Sequence, residues 1–421
     1  MYLATLAFAE EQDRLDTLRP FRDAFHFPQR NGKDAIYLCG NSLGLQPKGV
    51  KGAIDQELKD WQEHAVEGYW KAQHPWLYYQ EYCSKPMAAI VGAKAGEVTV
   101  MNTLTVNLHL LMMTFYKPTQ QRFKILMEAG AFPSDQYAIE TQVRLHGFDP
   151  ETAIIEVAPR EGAHLIESED ILQIINDQSS SLALILLGGI NYYTGQLFDI
   201  QAITAAAHQA GAIAGFDLAH VAGNVPVSLH DWGVDFAVWC SYKYLNGGPG
   251  AAGGAYIHEK HASDPGLIRL GGWWGNEETT RFKMEKGFVP KTNAGGWQIS
   301  TAQVFNMVSL RASLALFESA GMSALRAKSI SLTNYLRFLL EQLTGIEFEI
   351  ITPKNCEEHG AQLSLLFRNR GKEVHQQMTN AGIIVDWREP GVIRVSPTPL
   401  YNSYTDVFHF YEIIANIASN A

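Results

Sequence analysis

Between about residue 85 and residue 260, short apolar runs alternate with helix-forming stretches, and this alternation restricts the fold more than any other feature of the chain. Glu97–Met101, Phe123–Met127, Ala153–Val157, Leu182–Leu187, Ala212–Phe216 and Phe236–Cys240 read as strands, rich in aliphatic and β-branched residues. Val106–Phe115, Asp135–His146, Glu169–Asn176 and Ile200–Gln209 read as helices between them. Strands so continuously apolar must be covered on both faces, and helices linking successive strands provide that cover in a mostly parallel sheet. The expected class is α/β.

After this region, Gly271–Gly296 is irregular and holds the adjacent pair Trp273 and Trp274, a composition that suits an interface or site. Two amphipathic helices, Thr301–Ala320 and Met322–Leu343, lead to strands Glu347–Ile351, Gln362–Phe367, Ile383–Asp386 and Val392–Val395. Helices Lys372–Asn380 and Tyr404–Ala418 accompany them, the second opened by a Ser403-x-x-Asp406 cap. This is a small α+β unit. The expected division is an N-terminal segment, 1–60, packing with the small domain; a large domain, 61–305; and linker helices with the small C-terminal domain, 306–421.

At 421 residues and 46% hydrophobic, the chain can bury a large core. Its 33 basic and 44 acidic residues give a formal charge of −11 without any basic run, which argues against nucleic acid or an anionic membrane as partner. Four scattered cysteines lack metal-ligand spacing, so a reducing compartment and no metal centre are expected. No basic, apolar leader or membrane-length run is present, and the protein is expected to be cytoplasmic.

In open α/β sheets, ligands bind beyond the carboxyl ends of the strands. Two strands here end in anomalous charges: Ala212–Phe216 runs into Asp217, with His220 three positions on, and Phe236–Cys240 runs into Ser241-Tyr242-Lys243. Singly, such a lysine is most often structural and such an aspartate a helix cap. Together they meet the requirements of pyridoxal 5'-phosphate: a lysine to form the imine and a carboxylate to keep the ring nitrogen protonated.

Further candidates keep two readings. Phe132, before Pro133-Ser134-Asp135, suits either a planar cofactor ring or a hydrophobic staple with an N-cap. The helix start at Leu104 and Thr105 suits either a phosphate or a plain cap. Arg394, inside an apolar strand, either pairs with an internal acid or awaits a substrate carboxylate. Gly248-Pro249-Gly250-Ala251-Ala252-Gly253 satisfies a dinucleotide-binding pattern only literally, because a strand-like Gly254–Ile257 follows it. His258-Glu259-Lys260-His261 has the wrong spacing for a zinc helix and reads as a surface turn. Neither a nucleophile elbow nor a Walker loop occurs.

Several longer stretches share one family resemblance: Gly40-Asn41-Ser42-Leu43-Gly44-Leu45, Leu104–His109, Phe132–Asp135, Tyr193-Thr194-Gly195-Gln196, Gly215–His220, Trp239–Asn246, Arg281-Phe282-Lys283-Met284, and Arg394 with Pro399–Ser403. In this order they resemble the kynureninase family of fold type I pyridoxal-phosphate enzymes, related to class V aminotransferases and cysteine desulfurases. The resemblance implies a seven-stranded, mostly parallel sheet between helices and hydrolysis of the Cβ–Cγ bond of L-kynurenine to anthranilate and L-alanine. It places this step in tryptophan catabolism by the kynurenine pathway, which can feed NAD biosynthesis. Lys243, Tyr242 and Asp217 are implied as catalytic, with Lys243 the Schiff-base lysine. Leu104, Thr105, Phe132, Asp135, Asp217, His220, Tyr242 and Lys243 are implied around the cofactor. Trp273 and Thr301 would reach it from a neighbouring subunit in an obligate homodimer. Arg394 would hold the substrate's α-carboxylate, with Ser42, Tyr69, Asn276 and Thr301 as further substrate contacts.

Two departures from the family pattern stand out. Gly188 occupies a position where many relatives carry a serine or threonine beside the cofactor. Tyr69, Asn276 and Thr301 stand where animal enzymes have histidine, histidine and asparagine, so L-kynurenine is expected to be preferred over 3-hydroxy-L-kynurenine. The rival readings are a cysteine desulfurase, for which only Cys356 is remotely placed, a class V aminotransferase, and a cofactor-binding homologue without catalysis.

Overall fold

A computed structural model describes residues 2–264 and 266–419. At its centre lies a seven-stranded sheet, formed by β1 (Val98–Met101), β2 (Lys124–Glu128), β3 (Ile154–Val157), β4 (Leu182–Gly188), β5 (Ile213–Asp217), β6 (Phe236–Trp239) and β7 (Gly253–Ile257). Their spatial order is β1-β7-β6-β5-β4-β2-β3. β7 alone runs antiparallel to its neighbours, on both sides, while the other adjacent pairs are parallel. The sheet is therefore mixed. Neither the connection from β5 to β6 nor that from β6 to β7, Cys240–Ala252, contains a helix; the first crosses over to a parallel strand and the second returns the chain antiparallel.

Helices α1 (Leu6–Leu15), α2 (Gly49–His64), α3 (Glu81–Ile90), α4 (Leu104–Phe115), α5 (Pro133–Leu145), α6 (Ser168–Asp177) and α7 (Ile200–Gln209) precede or flank these strands. Buried residues form one cluster around Leu126, Ile185, Leu187, Phe216 and Trp239, and a second around Ile125, Met127, Leu184, Leu186, Phe236 and Val238. Alternate residues of the same strands feed the two clusters, as a sheet covered on both faces requires.

The C-terminal part comprises α8 (Val304–Ala320), α9 (Met322–Leu340), α10 (Gly371–Asn380) and α11 (Tyr404–Ser419). They accompany a four-stranded antiparallel sheet ordered β8 (Glu349–Ile350), β9 (Leu363–Leu366), β11 (Val392–Val395), β10 (Asp386–Arg388). The expected strand Ile383–Asp386 is divided: Ile383–Ile384 pairs in parallel with Ile36–Tyr37, and β10 begins only at Asp386. Asp13 of α1 accepts bonds from the backbone N–H groups of Tyr404 and Thr405 at 2.7 and 3.0 Å, capping α11 across the length of the sequence.

Two expected boundaries shift. α2 continues through residue 60 and lies against α8 rather than against the small sheet. Met307, Val308, Leu310, Leu314 and Phe317 of α8 enter the large core cluster, so this helix is part of the large domain's packing and not a free linker. Among the described residues, no helix is long and apolar enough to cross a membrane.

Candidate active site

The strands β2, β4 and β5 lie side by side and end together at Glu128, Gly188 and Asp217, with Gly188 in register with Asp217. These ends, the start of α4 and the loop after β6 enclose a pocket lined by Leu104, Thr105, Glu128, Phe132, Ser134, Asp135, Gly188, Ile190, Tyr192, Asp217, Ala219, His220, Tyr242 and Lys243. The first eight cofactor-side residues expected from the sequence are all in this wall. Lys243 Nζ is 3.0 Å from His220 Nε2 and 5.8 Å from the centre of the Phe132 ring. Phe132 leaves its ring 40% exposed toward the cavity, and Tyr192 meets it edge-on at 5.2 Å. The glycine at position 44 brings its loop against this floor: its N–H donates to the Tyr242 carbonyl at 2.8 Å, where a Cβ would stand 2.5 Å from the Lys243 carbonyl oxygen.

The electrostatics are those of a site built around a few buried charges. Burial raises the Asp217 carboxyl, the nearby Lys243 ammonium pulls it back, and the Ala219 N–H donates to it at 2.7 Å. Burial, then the adjacent Asp217 and Glu128, push Asp135 well above the usual range, and its side chain is hydrogen-bonded to Asp217. Glu128 rises to about 7, chiefly by burial. Burial and Lys243 hold His220 well below the usual imidazole range, so it is neutral and accepts from the lysine. Burial raises the Tyr242 phenol, with Cys240 adding to the effect, so it keeps its proton.

These residues fit pyridoxal phosphate. A lysine amine borders the cavity, a buried carboxylate faces it from the adjoining strand end, and an aromatic face lies open between them. His220 Nδ1 is buried without a protein partner. At the phosphate end, α4 begins at Leu104 with no side-chain cap, leaving first-turn N–H groups for an anion.

Arg394 lies on β11 and is 1% exposed. It donates to the Tyr192 carbonyl at 2.8 Å, to Ser42 Oγ at 3.1 Å and to Asp386 Oδ2 at 2.5 Å. Of its two readings, the internal acid partner is therefore present. Ser42 also donates to Asp386 Oδ2, and Arg388 reaches the same oxygen at 3.1 Å.

Tyr69, Trp273, Asn276 and Thr301 are not in the pocket wall of this chain. Tyr69 packs edge-on with Trp76, Trp273 donates its indole N–H to the Arg281 carbonyl at 3.3 Å, and Asn276 accepts from the Val289 N–H at 2.8 Å. Sequence reasoning missed Glu128, Tyr192 and Asp386. Glu128 and Asp386 each left a signal, a carboxylate closing an apolar run, weaker than those of Asp217 and Lys243. Elsewhere Glu97, His230 and His258 place potential ligand atoms within 4.8 Å of one another. Glu97 accepts from His230 and the Glu259 N–H, and His258 Nδ1 accepts from the Lys260 N–H, so those atoms are engaged within the protein.

The model of the family described as the kynureninase C-terminal domain matches residues 325–414. A kynureninase of Myxococcus xanthus is 54% identical over 409 residues, covering 97% of this chain and 96% of that protein. Kynureninases of Flavobacterium johnsoniae and Stenotrophomonas maltophilia are 52% and 51% identical, the first covering 97% of each chain and the second 95%. Among solved structures, the cysteine desulfurase CsdA of Escherichia coli superposes with a TM-score of 0.77 at 18% identity, covering 96% of this chain and 98% of its own. An apo cysteine desulfurase of Thermococcus onnurineus gives 0.75 at 19%, covering 92% and 95%. At such identities the structural likeness concerns the fold.

Proposed function

The chain belongs to the kynureninase family, and on that premise we propose how its residues divide the work of hydrolysing L-kynurenine. The enzyme is a pyridoxal-phosphate-dependent hydrolase of carbon–carbon bonds in ketonic substrates, cleaving between Cβ and Cγ to yield anthranilate and L-alanine. Bound pyridoxal phosphate supplies an electron-poor ring that accepts the electron pair released at the substrate's Cα. Lys243 would hold the cofactor through its amine, and the same Nζ would take the substrate's Cα proton. Neutral His220 at 3.0 Å orients that amine. Asp217 would partner the ring nitrogen, Phe132 would cover the ring, and Leu104 and Thr105 at the start of α4 would hold the phosphate.

Cleavage requires water to add to the γ-carbonyl and the Cβ–Cγ bond to break with its electron pair on Cβ. Tyr242, which keeps its proton through burial and lines the same pocket, would return a proton there. Arg394 and Ser42 serve the substrate's α-carboxylate, which would replace Asp386 on one face of the guanidinium. The observation that carries this reading is the meeting of Lys243, His220 and Asp217 in one pocket.

We further propose a homodimer with shared sites. Its support is the exposure of Trp61, Val66, Trp70 and Phe305 in one region and Ile268, Trp273, Phe282 and Met284 in another. Tyr69, Asn276 and Thr301 would then complete the aromatic end of the site, and Trp273 its cofactor side, across the interface. A cytoplasmic location and a role in tryptophan catabolism, with products available to NAD biosynthesis, are proposed on the same footing. The division into segments 1–60, 61–305 and 306–421 is kept as functional bookkeeping, with the shifts of α2 and α8 described above.

The test is anthranilate fluorescence with L-kynurenine and the corresponding product signal with 3-hydroxy-L-kynurenine. A higher kcat/KM for L-kynurenine is expected. Preference for the hydroxylated substrate would overturn the specificity reading, and sulfide release from cysteine without anthranilate would overturn the activity.

A further inference from the structure

The pocket holds more acid than the reaction described above uses. Glu128, Asp135 and Asp217 are 4%, 7% and 8% exposed, and the ammonium of Lys243, already paired with neutral His220, is the basic side chain in the same wall. Three ionised carboxylates beside one ammonium would leave buried negative charge uncompensated, so the trio must retain protons. The Asp135–Asp217 hydrogen bond accounts for one of them, because one of two bonded carboxyls must supply the hydrogen.

The seat of Glu128 is specific. It closes β2, Asp217 closes β5, and Gly188 ends the strand between them. The Gly188 N–H donates to both Glu128 oxygens, at 3.1 and 3.2 Å, and a Cβ at 188 would stand 2.8 Å from Glu128 Oε1. The missing side chain thus admits the glutamate carboxyl to the space where a hydroxyl-bearing residue would project.

We propose that Glu128 is a positioning residue that keeps the proton on the Asp135–Asp217 pair and gives up its own proton when the positively charged pyridine ring enters the pocket. The groups facing it are Asp217 from β5, Asp135 from α5 and the Gly188 N–H from β4, with Lys243 and His220 beyond Asp217. A cation at Asp217 favours the ionised form of Glu128. Its O–H bond breaks, the proton goes to buffer, and no other bond changes. Burial places Glu128 near 7 beforehand, so the exchange falls in the neutral range.

This inference rests on the pyridoxal-phosphate reading, and its test separates the two. Calorimetric titration of pyridoxal phosphate into the full-length, cofactor-depleted protein, in buffers of differing ionisation enthalpy, counts the protons exchanged on binding. At about pH 7, Glu128→Gln is expected to release up to one proton fewer than the parent protein. Gly188→Ala keeps the acid but crowds it off its N–H donor, so its proton release is expected to move to higher pH. Gly188→Ala also decides the matter should Glu128→Gln fail to fold. Equal proton counts in all the folded proteins from about pH 6 to 9 would overturn the inference while leaving the cofactor reading intact. Failure of the parent protein to bind pyridoxal phosphate would remove that reading and the inference together.

Discussion

Glu128 shows how a single buried acid sets a pH dependence of its own. Burial raises its carboxyl from 4.5 to about 7, so between those values the folded protein binds a proton that the unfolded chain does not. For such a raised acid, stability is complete below the lower value and is lost as pH rises through the upper one. The expected size is roughly 3 kcal/mol across the window. Glu128→Gln removes this loss: in denaturant unfolding of the cofactor-free protein, the variant should gain on the parent between about pH 5 and pH 8. A pH-independent difference would contradict the assignment. Residues of this kind explain what the sequence could and could not reveal. Lys243 and Asp217 were legible because each is a charge at the end of an otherwise apolar strand. Asp386 was not, since an acid closing the expected strand Ile383–Asp386 has no visible partner until β10 and β11 pair and set it opposite Arg394. Arg394 itself was legible as an anomaly, while its partner depended on that register.

Among the elements, most helices and strands followed from apolar periodicity, and their ends moved by only a few residues, as with α4, which begins at Leu104 instead of Val106. Strand direction was harder. β7 is as apolar as its neighbours, and nothing in its own residues marks it as antiparallel. Contacts distant in sequence were not legible at all. The carboxylate of Asp13 on α1 accepts from the Tyr404 and Thr405 N–H groups and from the Thr405 hydroxyl, supplying the first turn of α11 with acceptors that its own Ser403-x-x-Asp406 motif only partly provides. Asp13→Ala should therefore destabilise the protein by about 2 kcal/mol, at the upper end for loss of a helix cap. Chemical denaturation would measure it. A change within about 0.5 kcal/mol, the range of an ordinary surface substitution, would show the cap to be dispensable.

At the scale of the whole molecule, one chain gathers eight of the residues expected around a cofactor in one pocket and leaves Tyr69, Trp273, Asn276 and Thr301 outside it. Trp61, Trp70, Trp273, Phe282 and Phe305 are exposed, which is why the homodimer is proposed. Sedimentation velocity should give the mass of two chains, and Trp61→Glu with Phe305→Glu should dissociate them with loss of activity; a fully active monomer would refute the shared site. No pattern along one chain can show which residues meet across two, so this part came from resemblance alone. The apolar face of α8, expected in a linker, fills the large core. The central claim is that Lys243 both holds the cofactor and moves the Cα proton. Anthranilate formation from L-kynurenine by the parent protein and by Lys243→Ala, each supplied with pyridoxal phosphate, tests it most directly. Rapid anthranilate release by the parent and a loss of roughly 10³-fold or more in the variant are expected; turnover by Lys243→Ala at a rate near the parent's would contradict that role.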